Sequence, residues 1–298
     1  MEKRSFGNTG MEVTTLGYGA MEFRHVDENQ AGRLLESVLD AGINFIDTSP
    51  DYGPSEDRIG KWIAHRRDEY FLATKCGCNV PQQGGDDAPR HIWTGAQVRH
   101  NIEHSLKRLN TDYVDVWQVH SAEPDELAQS DVLETMLRIK EEGKVRHIAV
   151  SMSGRAAGRG FGQLRPYLDG DWDHFEAIQV WYSALERASE DAMREAANRG
   201  KGMIIRGVVR TVEPYESLAD FVDKVGLNDL RATGESAAQF LLRFAIAHPA
   251  LHTTIIGTKS LDHLQDNIKA VEAGPLAPDV LAEAKRRLAT AGIGPMGE

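Results

Sequence analysis

Four polar side chains in this sequence have the types and settings to do chemistry together: Asp47, Tyr52, Lys75 and His120. They lie in the segments IDTSPDYG, YFLATKCG and DYVDVWQVH, each of which joins an apolar run to a loop. Such a junction lets a strand deliver a polar group to one rim of a barrel. A free tyrosine ionises near pH 10, too high for easy proton transfer at neutral pH. A neighbouring ammonium stabilises the phenolate and lowers that value, so Tyr52 beside Lys75 makes a proton donor. Asp47 would keep Lys75 charged in a site that otherwise discharges it. His120 would orient a substrate oxygen or relay a proton. An acid set beside positive charge suits a carbonyl becoming an alkoxide. No side chain donates hydride, so such a reduction requires a cofactor. Taken singly, each residue also has an ordinary role: Asp47 as a turn cap, Tyr52 as a loop anchor, Lys75 as a solvated strand end, His120 as a satisfied interior histidine.

Bringing these four residues together requires strands that alternate with helices. Gly10 and Gly17 punctuate the start, which reads as a short hairpin feeding a strand over residues 15–19. Residues 30–41 have helical spacing, with Leu34, Leu35, Val38 and Leu39 on one apolar face and Gly42 as the stop. Further strands are expected at 44–47, 70–75, 113–119, 145–150, 176–181, 203–209 and 253–256. Helices are expected at 55–66, after Thr94 with Gln97 as its reciprocal capping partner, and at 130–142, 161–168, 189–198, 215–225 and 235–247. Two more close the chain at 262–271 and 278–291.

Strand followed by helix, eight times over, predicts an α/β protein: a single-domain (β/α)8 TIM barrel spanning 1–298, with an N-terminal β-hairpin and extra C-terminal helices. The competing open, doubly wound sheet would need an early glycine fingerprint, and GYGAMEFRHVDENQ does not supply one. Two long loops, 77–93 and 153–162, follow strands and are expected over the functional rim.

The charge balance of 34 basic against 45 acidic residues disfavours non-specific nucleic-acid binding. The N-terminus has no apolar signal core, and no stretch has the roughly 18 apolar residues of a membrane span. A cytoplasmic location is therefore expected. Cys76 and Cys78 are spaced to face the same way on a strand, but a pair supplies only half of a tetrahedral thiolate set. They read as two free thiols near a rim, and no metal is expected. Asp173 and Glu176 read as solvent-facing loop groups.

Over nearly its full length the chain resembles the aldo-keto reductase family. The resemblance is carried by GNTGMEVTTLGYGAM, NFIDTSPDYGPSEDRIG, LATK, SLKRLNTDYVDVWQVH, GKVRHIAVS and TTIIGTKSLDHLQDNIKAV. It implies the same barrel and an NADPH-dependent reduction of an aldehyde or ketone. Tyr52 would be the proton donor, tuned by Lys75 and Asp47, with His120 placing the carbonyl. Ser151 and Gln179 would bind the nicotinamide carboxamide; Met152 stands where the family has asparagine, and a thioether cannot donate a hydrogen bond. Arg206, beside Gly207, stands where the family often places an aromatic ring against the nicotinamide. Gly257, Thr258, Lys259, His263, Asp266 and Asn267 match the adenosine-end loop and helix, with Lys259 and His263 beside a 2′-phosphate. Histidine at 263, where the family often has arginine, leaves NADH use open. The partner expected is a small-molecule carbonyl, with Trp93, Trp181, Phe23 and Met21 as apolar walls and Arg90, His91 and Arg155 favouring an anion. The alternative is a cofactor-binding regulatory subunit of low turnover, like those that accompany potassium channels.

Overall fold

The computed structural model describes residues 1–81, 88–152 and 164–295. The chain opens with an antiparallel hairpin, β1 (Lys3–Ser5) and β2 (Glu12–Thr14). There follow β3 (Leu16–Gly19), β4 (Phe45–Asp47), β5 (Phe71–Cys76), β6 (Val114–His120), β7 (Val145–Ser151), β8 (Ala177–Trp181), β9 (Gly202–Arg206) and β10 (Thr253–Ile256). These eight form one closed parallel barrel, completed where Thr254 pairs with Leu16 and Ile256 with Tyr18. The expected (β/α)8 architecture is therefore present. The helices are α1 (Glu28–Asp40), α2 (Ser55–Trp62), α3 (Gly95–Leu109), α4 (Pro124–Ala128), α5 (Val132–Glu141), α6 (Leu164–Asp169), α7 (Glu190–Asn198), α8 (Leu218–Lys224), α9 (Ala237–Ile246), α10 (Leu261–Glu272) and α11 (Pro278–Thr290).

Among the described residues the core has two parts. The larger lies between barrel and helices and includes Leu34, Leu35 and Val38 of α1, Val98 and Ile102 of α3, and the outward strand residues Ile46, Leu72, Trp117 and Ile148. The smaller fills one end of the barrel. Phe6, Met11 and Val13 from the hairpin plug it against Phe45, Ala73, Val116, Ala149, Ala177 and Ile204. Arg4 ties the same hairpin to the end of α9, donating to the carbonyls of Leu251 at 2.6 Å and Ile246 at 3.0 Å.

Several local expectations are corrected. The helix expected at 130–142 is preceded by a separate α4, because Pro124 starts a turn in which Glu126 accepts from the Glu123 backbone N–H at 2.8 Å. The strand expected at 203–209 stops at Arg206, because Gly207 turns the chain with φ +81°. The helix expected at 55–66 stops at Trp62 and continues as a 3-10 segment, Ala64–Glu69. Thr94 does cap α3, accepting from the Gln97 N–H at 3.3 Å. The Gln97 side chain is not its reciprocal partner; it donates instead to the Cys78 carbonyl at 2.6 Å. Glu176 is not a solvent-facing loop group: it accepts from His147 Nδ1 at 2.8 Å and from Lys140. Burial opposes its ionisation, but those two bonds outweigh it and hold the carboxyl down at about 2. The loop 153–162 with Arg155, and the first residues of the helix expected at 161–168, lie outside the described residues.

Candidate active site

Side chains inside the barrel alternate with period two, so each strand contributes a residue to successive layers. Two positions beyond the apolar layer of Phe45, Ala73, Val116, Ala149, Ala177 and Ile204 stand Asp47, Lys75, Gln118, Ser151, Gln179 and Arg206. The hydrophobic plug thus lies beneath a polar layer at the carboxyl ends of the strands, where barrel sites are built.

All of that layer except Arg206 forms one hydrogen-bonded network. Lys75 Nζ donates to Asp47 Oδ2 at 2.7 Å and to the Thr48 carbonyl at 2.8 Å. Gln118 Nε2 and Gln179 Nε2 each donate to Asp47 Oδ1 at 2.8 Å. Gln179 also donates to Gln118 Oε1 at 3.0 Å and accepts from Ser151 Oγ at 2.9 Å. Lys75 is fully buried. Desolvation pulls its pKa down, but Asp47 and Tyr52 outweigh that and raise it, so the ammonium persists.

Tyr52 stands above this network on the loop after β4. The Lys75 ammonium lies 4.8 Å from the centre of its ring. Burial raises the phenol's pKa, against the lowering influence of Lys75 and Arg206. The expectation of a net lowering is thus corrected: the desolvation of the phenol outweighs the neighbouring ammonium. The His120 ring meets Tyr52 edge-on at 6.2 Å between centres. Burial, with Lys75, His91 and Arg206 nearby, pushes its imidazole well below the usual range, so His120 is neutral. Its Nδ1 lies 3.4 Å from Ser49 Oγ and 3.3 Å from Cys78 Sγ.

Asp47, Tyr52, Gln179, Arg206, Gly207 and Gly257 line one cleft of about 480 Å³. Ser151 lies beneath it, joined through Gln179. Arg206 is held by a bond to the Met152 carbonyl and stacks on Trp181 at 5.0 Å. Among the described residues its buried Nε has no hydrogen-bond partner. A flat cation with an open donor suits a planar, anionic cofactor. Two glycines keep the wall open: a Cβ on Gly207 would meet Trp181 at 2.4 Å, and one on Gly257 would meet the Gly19 carbonyl at 2.7 Å. Lys259 sits apart, in a depression shared with Gln30 and Arg33. His263, Asp266 and Asn267 follow on the first turns of α10, which Ser260 caps. Thr258 is buried there, its carbonyl accepting from Tyr18 at 2.7 Å.

Among the expected walls, Met21 and Trp181 line the cleft. Phe23 does not; it is fully buried against Tyr18 in the main core. The two cysteines part company as well. Cys76 packs in the main core, whereas Cys78 reaches the His120 ring. The sequence reading passed over Gln118, although it sits two residues before His120 on the same inward face.

A sequence model of the aldo/keto reductase family matches residues 15–211 and 229–288. The aldo-keto reductase AKR11C1 of Bacillus halodurans, in its holo form, superposes with a TM-score of 0.79 at 27% identity, covering 97% of this chain and 96% of that one. The uncharacterized oxidoreductase YrpG of Bacillus subtilis is 31% identical over 91% of each chain. The L-galactose dehydrogenase of Arabidopsis thaliana is 27% identical, over 91% of this chain and 88% of its own. The matched sequence runs through the strands that carry the polar layer and the glycines that open its cleft, and the chain belongs to the aldo/keto reductase family, as a nicotinamide-dependent oxidoreductase.

Proposed function

We propose that this protein reduces an aldehyde or ketone to the alcohol with NADPH, and that Tyr52 is the proton donor. The observation that carries this reading is the buried Asp47–Lys75 pair set 2.7 Å apart beneath the Tyr52 ring, on the wall of a cleft. When bound, the cofactor supplies hydride to the carbonyl carbon. Tyr52 gives its proton to the carbonyl oxygen as the π bond breaks, and Lys75 stabilises the phenolate left behind. Asp47, itself held by Gln118 and Gln179, keeps Lys75 charged and in place. His120, neutral, donates a hydrogen bond that orients the oxygen. Ser151 and Gln179 offer the carboxamide a hydroxyl and an amide, and Arg206 presents its planar face.

The test is Tyr52→Phe assayed with NADPH and a panel of aromatic, aliphatic and sugar carbonyls. Sugars belong in the panel because one relative bears the name of a hexose dehydrogenase. The variant should bind NADPH as before and lose about 10²–10⁴-fold in turnover. Unchanged turnover would remove Tyr52 as the acid.

The preference for NADPH rests on Lys259 and His263 at the start of α10. Lys259→Met should raise the NADPH Kd by about tenfold, a loss of about 1.4 kcal/mol, and leave the NADH Kd near the wild-type value. Equal effects on both would assign Lys259 elsewhere.

A further inference from the structure

The described arms of the loop after β5, residues 77–81 and 88–93, lie beside His120 and carry side chains that carbonyl reduction does not use. Gly77, at φ +82°, turns the chain out of the strand. The two arms of the loop then meet in an antiparallel bridge that sets Cys78 opposite His91. Backbone bonds from Asn79 N to the Arg90 carbonyl at 2.8 Å and from Ile92 N to the Gly77 carbonyl at 2.7 Å fix that pairing. From behind, Gln97 and Asn101 of α3 donate to the Cys78 carbonyl at 2.6 and 3.0 Å. The His91 ring stacks on Trp93, at 5.4 Å and 9° between planes, and meets the His120 ring edge-on at 4.8 Å. Asp51 approaches from the loop after β4, its Oδ1 3.7 Å from His120 Nδ1.

One ligand atom from each of Asp51, Cys78, His91 and His120 lies within 4.8 Å of the other three. In a tetrahedral zinc site, bonds of about 2.0–2.3 Å set neighbouring ligand atoms about 3.3–3.8 Å apart. The Cys78–His120 and His120–Asp51 separations already fall in that range. The remaining closure falls to Asp51 and His91, which are only partly buried, and the Asp51 oxygen exchanges its 2.5 Å bond from Ser49 Oγ for the metal. The charges balance too. A thiolate and a carboxylate neutralise a dication, and two neutral imidazoles complete the set. Gln97 and Asn101 hold the backbone of the sulfur ligand in place.

We propose that Asp51, Cys78, His91 and His120 form a binding site for a thiophilic divalent cation of the zinc class. On binding, the Cys78 S–H bond breaks, its proton passes to solvent, and a sulfur–metal bond forms. The metal takes His120 at Nδ1, which leaves Nε2 as the protonated nitrogen. It would clamp the Cys78–His91 loop to the catalytic histidine. The sequence pointed away from metal because it offered Cys76 as the companion of Cys78; the fold supplies companions from two other loops and from His91 across the bridge.

The test uses the full chain stripped with chelator and titrated with Co²⁺ as a spectroscopic probe, so it depends on neither turnover nor cofactor. One equivalent should produce intense tetrahedral ligand-field bands and a thiolate-to-cobalt charge-transfer band, both displaced by Zn²⁺. Cys78→Ser should abolish the charge-transfer band, and His91→Gln should weaken Co²⁺ binding by about tenfold or more. Absence of the band in the wild type, or its survival in Cys78→Ser, overturns the proposal. If Cys78→Ser does not fold, His91→Gln decides alone, and unchanged affinity there overturns it. Loss of turnover in Tyr52→Phe with no cobalt band would reject the metal site and leave the reductase reading standing.

Discussion

Two opposed influences act on the proton of Tyr52. Burial makes the phenolate costly, while Lys75 and Arg206 favour it, and burial prevails. His120 shows the same contest in cationic form, with burial and neighbouring charges both holding it neutral. The pH dependence of carbonyl reduction follows from these signs. A tyrosine with a raised pKa stays protonated, and so competent as an acid, up to and beyond its ordinary value near 10. A histidine with a depressed pKa contributes no titration near 6.5. The kcat/KM for reduction should therefore be flat through the neutral range and fall only in strong alkali. An acid limb near 6.5 that disappears in His120→Gln would contradict this assignment. The four reactive residue types were legible in the sequence because each stands at an apolar-to-polar junction. Gln118 was not, since a glutamine in an alternating strand looks the same whether it faces a network or solvent. Nor could sequence order reveal that burial outweighs Lys75 at the phenol, because desolvation depends on what the fold packs around it.

Helices set the position of the Tyr52 loop from outside the barrel. Helices α2 and α3 approach closely at Gly60, where a Cβ would come within 2.1 Å of the Arg108 carbonyl. This closeness lets the Arg108 side chain reach across to the buried Glu56 at 3.2 Å and to Asp57 at 2.9 Å. Arg108 also donates to the carbonyls of Pro50 at 3.4 Å and Gly53, which flank Tyr52. Removing the guanidinium leaves the buried Glu56 with its bond from Thr74 at 2.7 Å but no cation beside it, and frees the loop. Arg108→Met should cost about 1–3 kcal/mol of stability, the usual penalty for a buried polar group that loses a partner, since burial already pushes the Glu56 carboxyl up and lets it take a proton. It should also lower kcat while leaving the NADPH Kd unchanged, and Arg108→Lys should restore part of both. Full activity in a destabilised Arg108→Met protein would show that the loop holds itself. Helical periodicity made α2 and α3 visible in the sequence. It could not show the contact between them, since Gly60 carries no side chain to signal a close approach.

The whole molecule divides its barrel by height. The N-terminal hairpin, which precedes the first barrel strand, closes one end with Phe6, Met11 and Val13. The catalytic layer begins two residues further along each strand, roughly 6–7 Å along the strand at 3.3 Å per residue. Strand count and length made the barrel legible, and they implied a hairpin ahead of it. They did not imply that the hairpin is a plug, because Phe6 sits in a short polar segment whose pattern gives no inward face. In the structure Phe6 is fully buried against Phe45, with ring centres 5.7 Å apart, and its ring lies where a Cβ on Gly202 would come within 2.5 Å. Stability and chemistry are therefore stacked on one axis but rest on separate layers. Phe6→Ala should cost about 3–5 kcal/mol, because it empties an aromatic site that six strands surround and cannot collapse to fill. A urea titration should show a lower midpoint with an unchanged slope, the mark of lost stability without a change in the surface exposed on unfolding. At temperatures where the variant remains folded, kcat should stay near the wild-type value, since the Asp47–Lys75–Gln118 network keeps all its partners. A large fall in kcat without loss of stability would mean that the plug transmits strain through the apolar layer to Lys75, and the two layers would then have to be treated as one.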